Sequence, residues 1–188
     1  MISAIVLAAG KSERMGRPKA LLPFGERTFI ENILAAIHAS SVKNAVVVLG
    51  HHREAIESLV RIQNPVFNPD YEKGMITSLQ AGIRALPLEA EGGLLCLVDH
   101  PVLNPTTIDA LVKSFRPGHI ILPTFEGRRG HPVLFSREVL SEILDLPISS
   151  GANAVVWKQP SRVIEVPVND RGVLIDIDTP QQYEEFSS

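Results

Sequence analysis

One cysteine stands in 188 residues, so no intramolecular disulfide can form, which suits a reducing compartment. That residue, Cys96, lies in the apolar run Leu94-Leu95-Cys96-Leu97-Val98 and reads as part of a core. No apolar stretch approaches the ~20 residues of a membrane span. The short apolar run at the N-terminus has no charged region before it, unlike a signal peptide. A cytoplasmic protein with no membrane partner is the expectation. Positive charge is not in excess either. Eighteen Lys and Arg against 21 Asp and Glu leave a net charge of −3, which excludes a general basic field for nucleic acid. Internal repeats and low-complexity tracts are also missing.

What is present is ordinary in amount and specific in order. Hydrophobic content is 45% and charged content 21%, and the length fits a single domain over residues 1–188 with a full core. Short apolar runs at 2–7, 45–49, 94–98 and 119–123 read as strands, and helical spacing recurs between them. Thr28 followed by Glu31 is a capping-box pattern at the start of the first helix. Residues 124–135 read as a hairpin adding antiparallel strands at one side, 149–158 as the opening of a short helix, and 162–168 as an edge strand. Strands alternating with helices give an α/β fold with a mainly parallel sheet.

The densest chemistry lies between the first strand and the first helix. Residues 7–22 read LAAGKSERMGRPKALL, with Gly10, Gly16 and four cations, Lys11, Arg14, Arg17 and Lys19, within nine positions. Glycine lets backbone N–H groups approach a ligand closely. Clustered cations in a loop at the C-terminal end of a strand suit a polyphosphate; the other reading is a solvated basic loop. Two common phosphate loops are excluded. Five residues, not four, separate Gly10 from Gly16, and Arg17-Pro18 follows where a Walker loop needs Lys and Ser or Thr. Gly10-Lys11-Ser12 breaks the dinucleotide fingerprint.

Leu7-Ala8-Ala9-Gly10, Ser12, Arg14-Met15-Gly16, Pro18-Lys19 and Leu21-Leu22 together resemble the signature of the nucleotidyltransferases. The resemblance continues through Gly74-Met75, Ser78, Ala81-Gly82, Asp99, Gly130-His131-Pro132-Val133-Leu134 and the closing Asp176-Ile177-Asp178-Thr179-Pro180. It runs from Ile2 to about Phe186 and is closest to the branch that transfers cytidylyl groups to molybdenum cofactor. It implies a three-layer Rossmann-like domain of the nucleotide-diphospho-sugar transferase type. The implied partners are CTP, Mg²⁺, the molybdenum-molybdopterin cofactor and, downstream, an apo molybdoenzyme or its chaperone.

Individual residues support this to different degrees. Asp99, at the end of a central strand, offers a hard oxygen ligand where open α/β sheets bind ligands, which suits Mg²⁺. Its other reading is a turn aspartate before proline. Asp176 and Asp178 alternate in an extended run and so share one face, where they repel unless compensated. The resemblance favours Asp178 as a second metal ligand, and helix capping is the competing role. Thr77 and Ser78 stand at a helix start, where polar ligand atoms or simple capping both fit. The resemblance assigns them to the nucleotide base. Arg128, Arg129 and His131 suit an acceptor phosphate or a solvated turn. The adjacent pair His51 and His52 is set aside as a metal site, because neighbouring helix positions do not face each other.

By the same resemblance, Leu7, Ala8, Ala9, Gly10 and Ser12 hold the nucleotide, Lys11 and Arg14 the outer phosphates, and Lys19 the α-phosphate. Asp99 and Asp178 hold Mg²⁺. The family usually has Asp-Met-Pro where this chain has Asp99-His100-Pro101, which leaves acceptor identity open beside His100. Users of GTP tend to have Leu-Ala-Gly-Gly in place of Leu7-Ala8-Ala9-Gly10, and the Ala9 methyl narrows a base pocket against guanine. Guanylyl transfer to the same cofactor, transfer to a sugar or alcohol phosphate, and a non-catalytic cofactor carrier are the alternatives.

Overall fold

The structure, a computed structural model, describes residues 1–151 and 160–187. The short helix expected around 154–158 lies outside the described residues. Strand β1 (Ile2–Ala8) is the axis of the molecule. It pairs in parallel with β4 (Asn44–Leu49) on one side and β6 (Gly92–Leu97) on the other. Along β1 successive side chains go to opposite faces. Ala4, Val6 and Ala8 enter one core with Ile30, Ile33, Ile37, Ile108 and Leu111. Ile5, Leu7 and Ala9 enter the other with Ile76, Leu79, Val139 and Ile143. A strand apolar on both faces must be covered on both, hence three layers.

Helices α1 (Phe29–Ala39), α2 (Arg53–Leu59) and α4 (Pro105–Lys113) supply the first cover. The second comes from α3 (Met75–Arg84) and α5 (Arg137–Leu144). The capping box at α1 forms as the sequence indicates. Thr28 Oγ1 accepts from Glu31 N at 3.4 Å, and Thr28 N donates to Glu31 Oε2 at 2.8 Å. Two short strands, β2 (Pro23–Phe24) and β3 (Arg27–Thr28), make a separate ribbon before it.

The main sheet continues outward from β4 to β5 (Pro65–Phe67). On the far side it runs β6, β9 (Val133–Ser136), β7 (Ile120–Phe125) and β10 (Val163–Pro167), with β8 (Arg128–Arg129) pairing β7. The hairpin adds its antiparallel strands on the β6 side of the sheet, as expected, but not at its edge. Its return strand β9 wedges antiparallel between β6 and β7, pairing Leu94 with Leu134 and Ile121 with Leu134. Val133, Leu134 and Phe135 are all buried, and an edge position would have left one row of their backbone N–H and C=O groups unpaired. β10 is an edge strand as expected. The closing segment is not a strand. A 3₁₀ turn at Arg171–Leu174 and irregular backbone lead to the last helix, α6 (Pro180–Ser187). No helix among the described residues is long and apolar enough to cross a membrane.

Candidate active site

The chain leaves β1 for β4 and β5 on one side, then returns to β6 on the other. The strand order thus switches at the C-terminal end of β1, where open α/β sheets open a crevice for ligands. A cavity of about 550 Å³ sits there, within the usual range for a small-molecule site. Leu7, Ala8, Ala9, Gly10, Lys11, Ser12 and Arg14 of the first loop line it, with Lys19, Ser78, Asp99 and Asp178. The register places Leu7 beside Leu97, and Val98 N donates to Leu7 O at 3.2 Å, so the loop and Asp99 emerge side by side. Ile177 N donates to Asp99 O at 2.9 Å and brings the closing segment to the same point.

Within the first loop, Ser12 takes a left-handed conformation, with φ of 55°, and its hydroxyl accepts from Lys19 N at 3.0 Å. This turns Lys19 inward. Its residue is only 8% exposed. The ammonium donates to Asp178 Oδ1 at 2.5 Å and lies 4.0 Å from Asp99 Oδ2. Arg14 Nη2 donates to Asp178 Oδ2 at 2.6 Å. Burial opposes ionisation of Asp178, but Lys19 and then Arg14 win and hold its carboxyl below the ordinary range. Asp99 goes the other way: burial raises its pKa, and the Asp178 charge adds to this against Lys19. Capping of α6 belongs to Thr179 and Gln182, not to Asp178: Gln182 Oε1 accepts from Asp178 N and Thr179 N, and Thr179 Oγ1 from Gln182 N. Arg17 turns away and lies over the Tyr183 ring.

A rim that no local pattern announces crosses the loop. Lys11 pairs with Glu72 at 2.7 Å, His52 Nε2 meets Lys11 O at 2.8 Å, and His51 Nδ1 meets Tyr71 Oη at 3.2 Å. Asn68 is buried and donates to Thr77 Oγ1 and Ser78 Oγ, at 2.9 Å each. Thr77 is thereby spent on the start of α3, its hydroxyl 2.9 Å from the carbonyls of Asp70 and Gly74. Ser78 alone of the two faces the cavity.

Beyond Asp99 lies a pair of packed histidines. His100 and His131 pack with ring centroids 4.5 Å apart. Arg128 and Arg129 are exposed on β8, outside the cavity, and Arg129 pairs with Glu165 at 2.7 Å. Burial pushes His100 down to about 4; burial and then the charge of His100 do the same for His131. An unfolded histidine takes its proton near 6.5. Between about 6.5 and 4 the unfolded chain therefore binds more protons, and stability falls as pH falls through that window. The expected loss is up to about 3 kcal/mol for one such histidine. Urea midpoints at pH 7, 5.5 and 4.5 measure it. His131→Gln should flatten the slope, and an unchanged slope in that variant contradicts the assignment.

The donor set suits a dication. One ligand atom each from Asp99, His100 and Asp176 lies within 4.8 Å of the others, the only such group among the described residues. Asp99 Oδ1 is buried and has no protein hydrogen bond. Burial, then Asp99, then Asp178 raise the Asp176 pKa, a repulsion that a bound cation relieves. Asp178, the expected partner of Asp99, is here engaged by Lys19 and Arg14.

This fold is that of nucleotidyltransferases of the nucleotide-diphospho-sugar transferase type. Solved structures of Rv0371c from Mycobacterium tuberculosis H37Rv match it with a TM-score of 0.85 at 29% identity, covering 99% of this chain and 96% of that one. The same protein in complex with manganese matches with a TM-score of 0.77 at 25% identity, covering 99% and 97%. A nucleotidyl transferase from Methanothermobacter gives 0.85 at 25% identity, covering 100% and 96%. The chain belongs to the MobA-like NTP transferase family, whose domain matches residues 4–163. Among named relatives, the nicotine blue oxidoreductase of Paenarthrobacter nicotinovorans is 30% identical over 192 residues, 96% of this chain and 94% of the relative. The molybdenum cofactor cytidylyltransferase of Escherichia coli K12 is 30% identical over 197 residues, 97% and 93%. The chain is a nucleotidyltransferase.

Proposed function

We propose that the protein transfers CMP from CTP to the molybdenum-molybdopterin cofactor and releases pyrophosphate, acting in the cytoplasm as one domain over residues 1–188. The observation that carries this reading is the inward Lys19 beside Asp99 and Asp178, in a cavity large enough for a nucleotide. The cytidylyltransferase relative, at 30% identity over nearly the full chain, supports the choice of substrates. So does Ala9, a residue of the cavity wall where users of GTP tend to have glycine, whose added methyl disfavours guanine.

In this mechanism the backbone at Ala8, Ala9 and Gly10, with Ser12 and Ser78, holds base and sugar. The triphosphate competes for Lys19, Arg14 and Lys11, drawing the first two off Asp178 and the third off Glu72. Asp99 and the Asp178 so released would hold Mg²⁺, which would supply charge neutralisation to the phosphates. An ionised oxygen of the acceptor phosphate attacks the α-phosphorus. The bond from that phosphorus to the bridging oxygen breaks, and pyrophosphate carries the electron pair away. The acceptor is already ionised at neutral pH, so no general base is required. Lys19 stabilises charge on the α-phosphoryl oxygens, and the loop fixes the line of attack. His100 and His131 face the acceptor, whose product passes to an apo molybdoenzyme or its chaperone.

Competition binding with CTP, GTP and UTP tests the nucleotide. CTP should displace a bound fluorescent nucleotide at the lowest concentration, and a clear GTP preference refutes the assignment.

A further inference from the structure

The adjacent histidines after β4 take no part in the proposed mechanism, yet the turn that carries them grips the first loop at two places. His51 N donates to Ala9 O at 3.2 Å, and His52 Nε2 lies 2.8 Å from Lys11 O. A carbonyl can only accept, so the His52 imidazole carries a proton on Nε2 and donates it. A trans peptide sets its N–H opposite its C=O. With the carbonyls of Ala9 and Lys11 fixed on the turn, the N–H groups of Gly10 and Ser12 point away from it. The N–H groups of Gly10, Lys11 and Ser12 have no acceptor among the described residues. The turn itself is firmly seated. An added Cβ at Gly50 would lie 2.4 Å from Ala9 O, so turn and loop are in close contact. His52 O accepts from Ile56 N at 3.0 Å, and Ile56 is buried in the core. His52 lines the cavity together with Lys11, whose ammonium pairs with Glu72 at 2.7 Å.

We infer that His52 is a positioning residue for the outer phosphates of the nucleotide, acting through the carbonyl of Lys11. This role rests on the proposed reading that a triphosphate lies over the first loop. The imidazole acts through the loop because its donor, Nε2, is taken by Lys11 O. What it fixes is the peptide between Lys11 and Ser12. That sets the direction of the Ser12 N–H and the point from which the Lys11 side chain leaves the backbone. A loop whose donors are set before the ligand arrives loses less conformational freedom on binding. The two histidines divide the work. His51 holds Ala9 through its main chain, which almost any residue supplies, whereas the grip on Lys11 needs a side chain ending in a donor.

Calorimetric binding to the whole chain tests this, with tripolyphosphate, CTP and CMP as probes, each in the presence of Mg²⁺. His52→Ala should weaken tripolyphosphate and CTP alike, by about fivefold, the worth of one ordinary hydrogen bond. CMP has no outer phosphates, and its affinity should not change. His52→Gln keeps an N–H donor and should restore most of the loss. Thermal midpoints of the two variants without ligand should agree. Tripolyphosphate carries neither base nor sugar, so the readout separates failure of this role from a wrong choice of nucleotide. Undiminished tripolyphosphate binding in His52→Ala overturns the role. So does a loss shared equally by CMP, which would make His52 a structural residue, or a His52→Gln variant as weak as His52→Ala. A chain that binds neither tripolyphosphate nor CTP overturns it together with the triphosphate reading.

Discussion

Lys19→Ala is expected to lower pyrophosphate release by about 10²- to 10³-fold, the usual cost of removing a preorganised charge from a phosphoryl-transfer site. The ammonium is held inward by the Ser12 hydroxyl on its own backbone N–H and sits between two carboxylates. A side chain this buried is costly to keep charged unless paired, and its partners are themselves the expected metal ligands. Lys19 and Arg14 neutralise Asp178 here, and in the proposed mechanism the same cations turn to the triphosphate. Asp99→Ala should fall as far, since it removes a carboxylate that the proposed mechanism assigns to Mg²⁺. The readouts are steady-state pyrophosphate release and thermal melting. Near-normal turnover in either variant would sink these roles, and a loss of turnover that merely tracks loss of fold would reassign Lys19 to structure.

Gly50→Ala should be the most damaging single-methyl change in the site. A Cβ there would lie 2.4 Å from the Ala9 carbonyl oxygen and 2.7 Å from Tyr71 Cβ. Neither neighbour can give way easily. Ala9 O accepts from His51 N at 3.2 Å at the end of the central strand, and Tyr71 lines the nucleotide cavity. Overpacking of this kind costs about 1–3 kcal/mol, and here the displaced atoms belong to the binding loop. Thermal melts with and without CTP should show a lowered midpoint and a lost ligand-induced rise. Gly10→Ala is the contrast. Nothing lies within 4 Å of its Cβ position, so its melting should stay unchanged while nucleotide binding falls. Unchanged CTP stabilisation in Gly50→Ala contradicts the placement of the nucleotide against Ala9.

The sheet's centre was legible because its physics is local. A strand buried on both faces must be apolar without interruption, as β1 is, and a cap such as Thr28–Glu31 is written within four residues. The insertion of β9 was not legible. Its place between β6 and β7 is set by pairing of Leu134 with Leu94 and Ile121, and no pattern within residues 124–135 encodes those distances. The two closing aspartates show the same limit within the site. Alternation implied a strand with both carboxylates on one face. Instead Ile177 N bonds Asp99 O in irregular backbone, so Asp178 reaches Lys19 and Arg14 while Asp176 stands with His100. Glu72 escaped notice because its partner, Lys11, is sixty-one positions away and the ion pair exists only once the chain has folded. Arg128 and Arg129 suited either an acceptor phosphate or a solvated turn, and β8 sets them on the surface outside the cavity.

The most direct measurement is pyrophosphate release from the purified chain with Mg²⁺, molybdopterin cofactor, and CTP, GTP, UTP or ATP supplied one at a time. Release with CTP, dependent on the cofactor and lost in Lys19→Ala, is the expected result. Release with GTP in place of CTP, or none with any nucleotide although CTP binds by calorimetry, would contradict cytidylyl transfer to this acceptor.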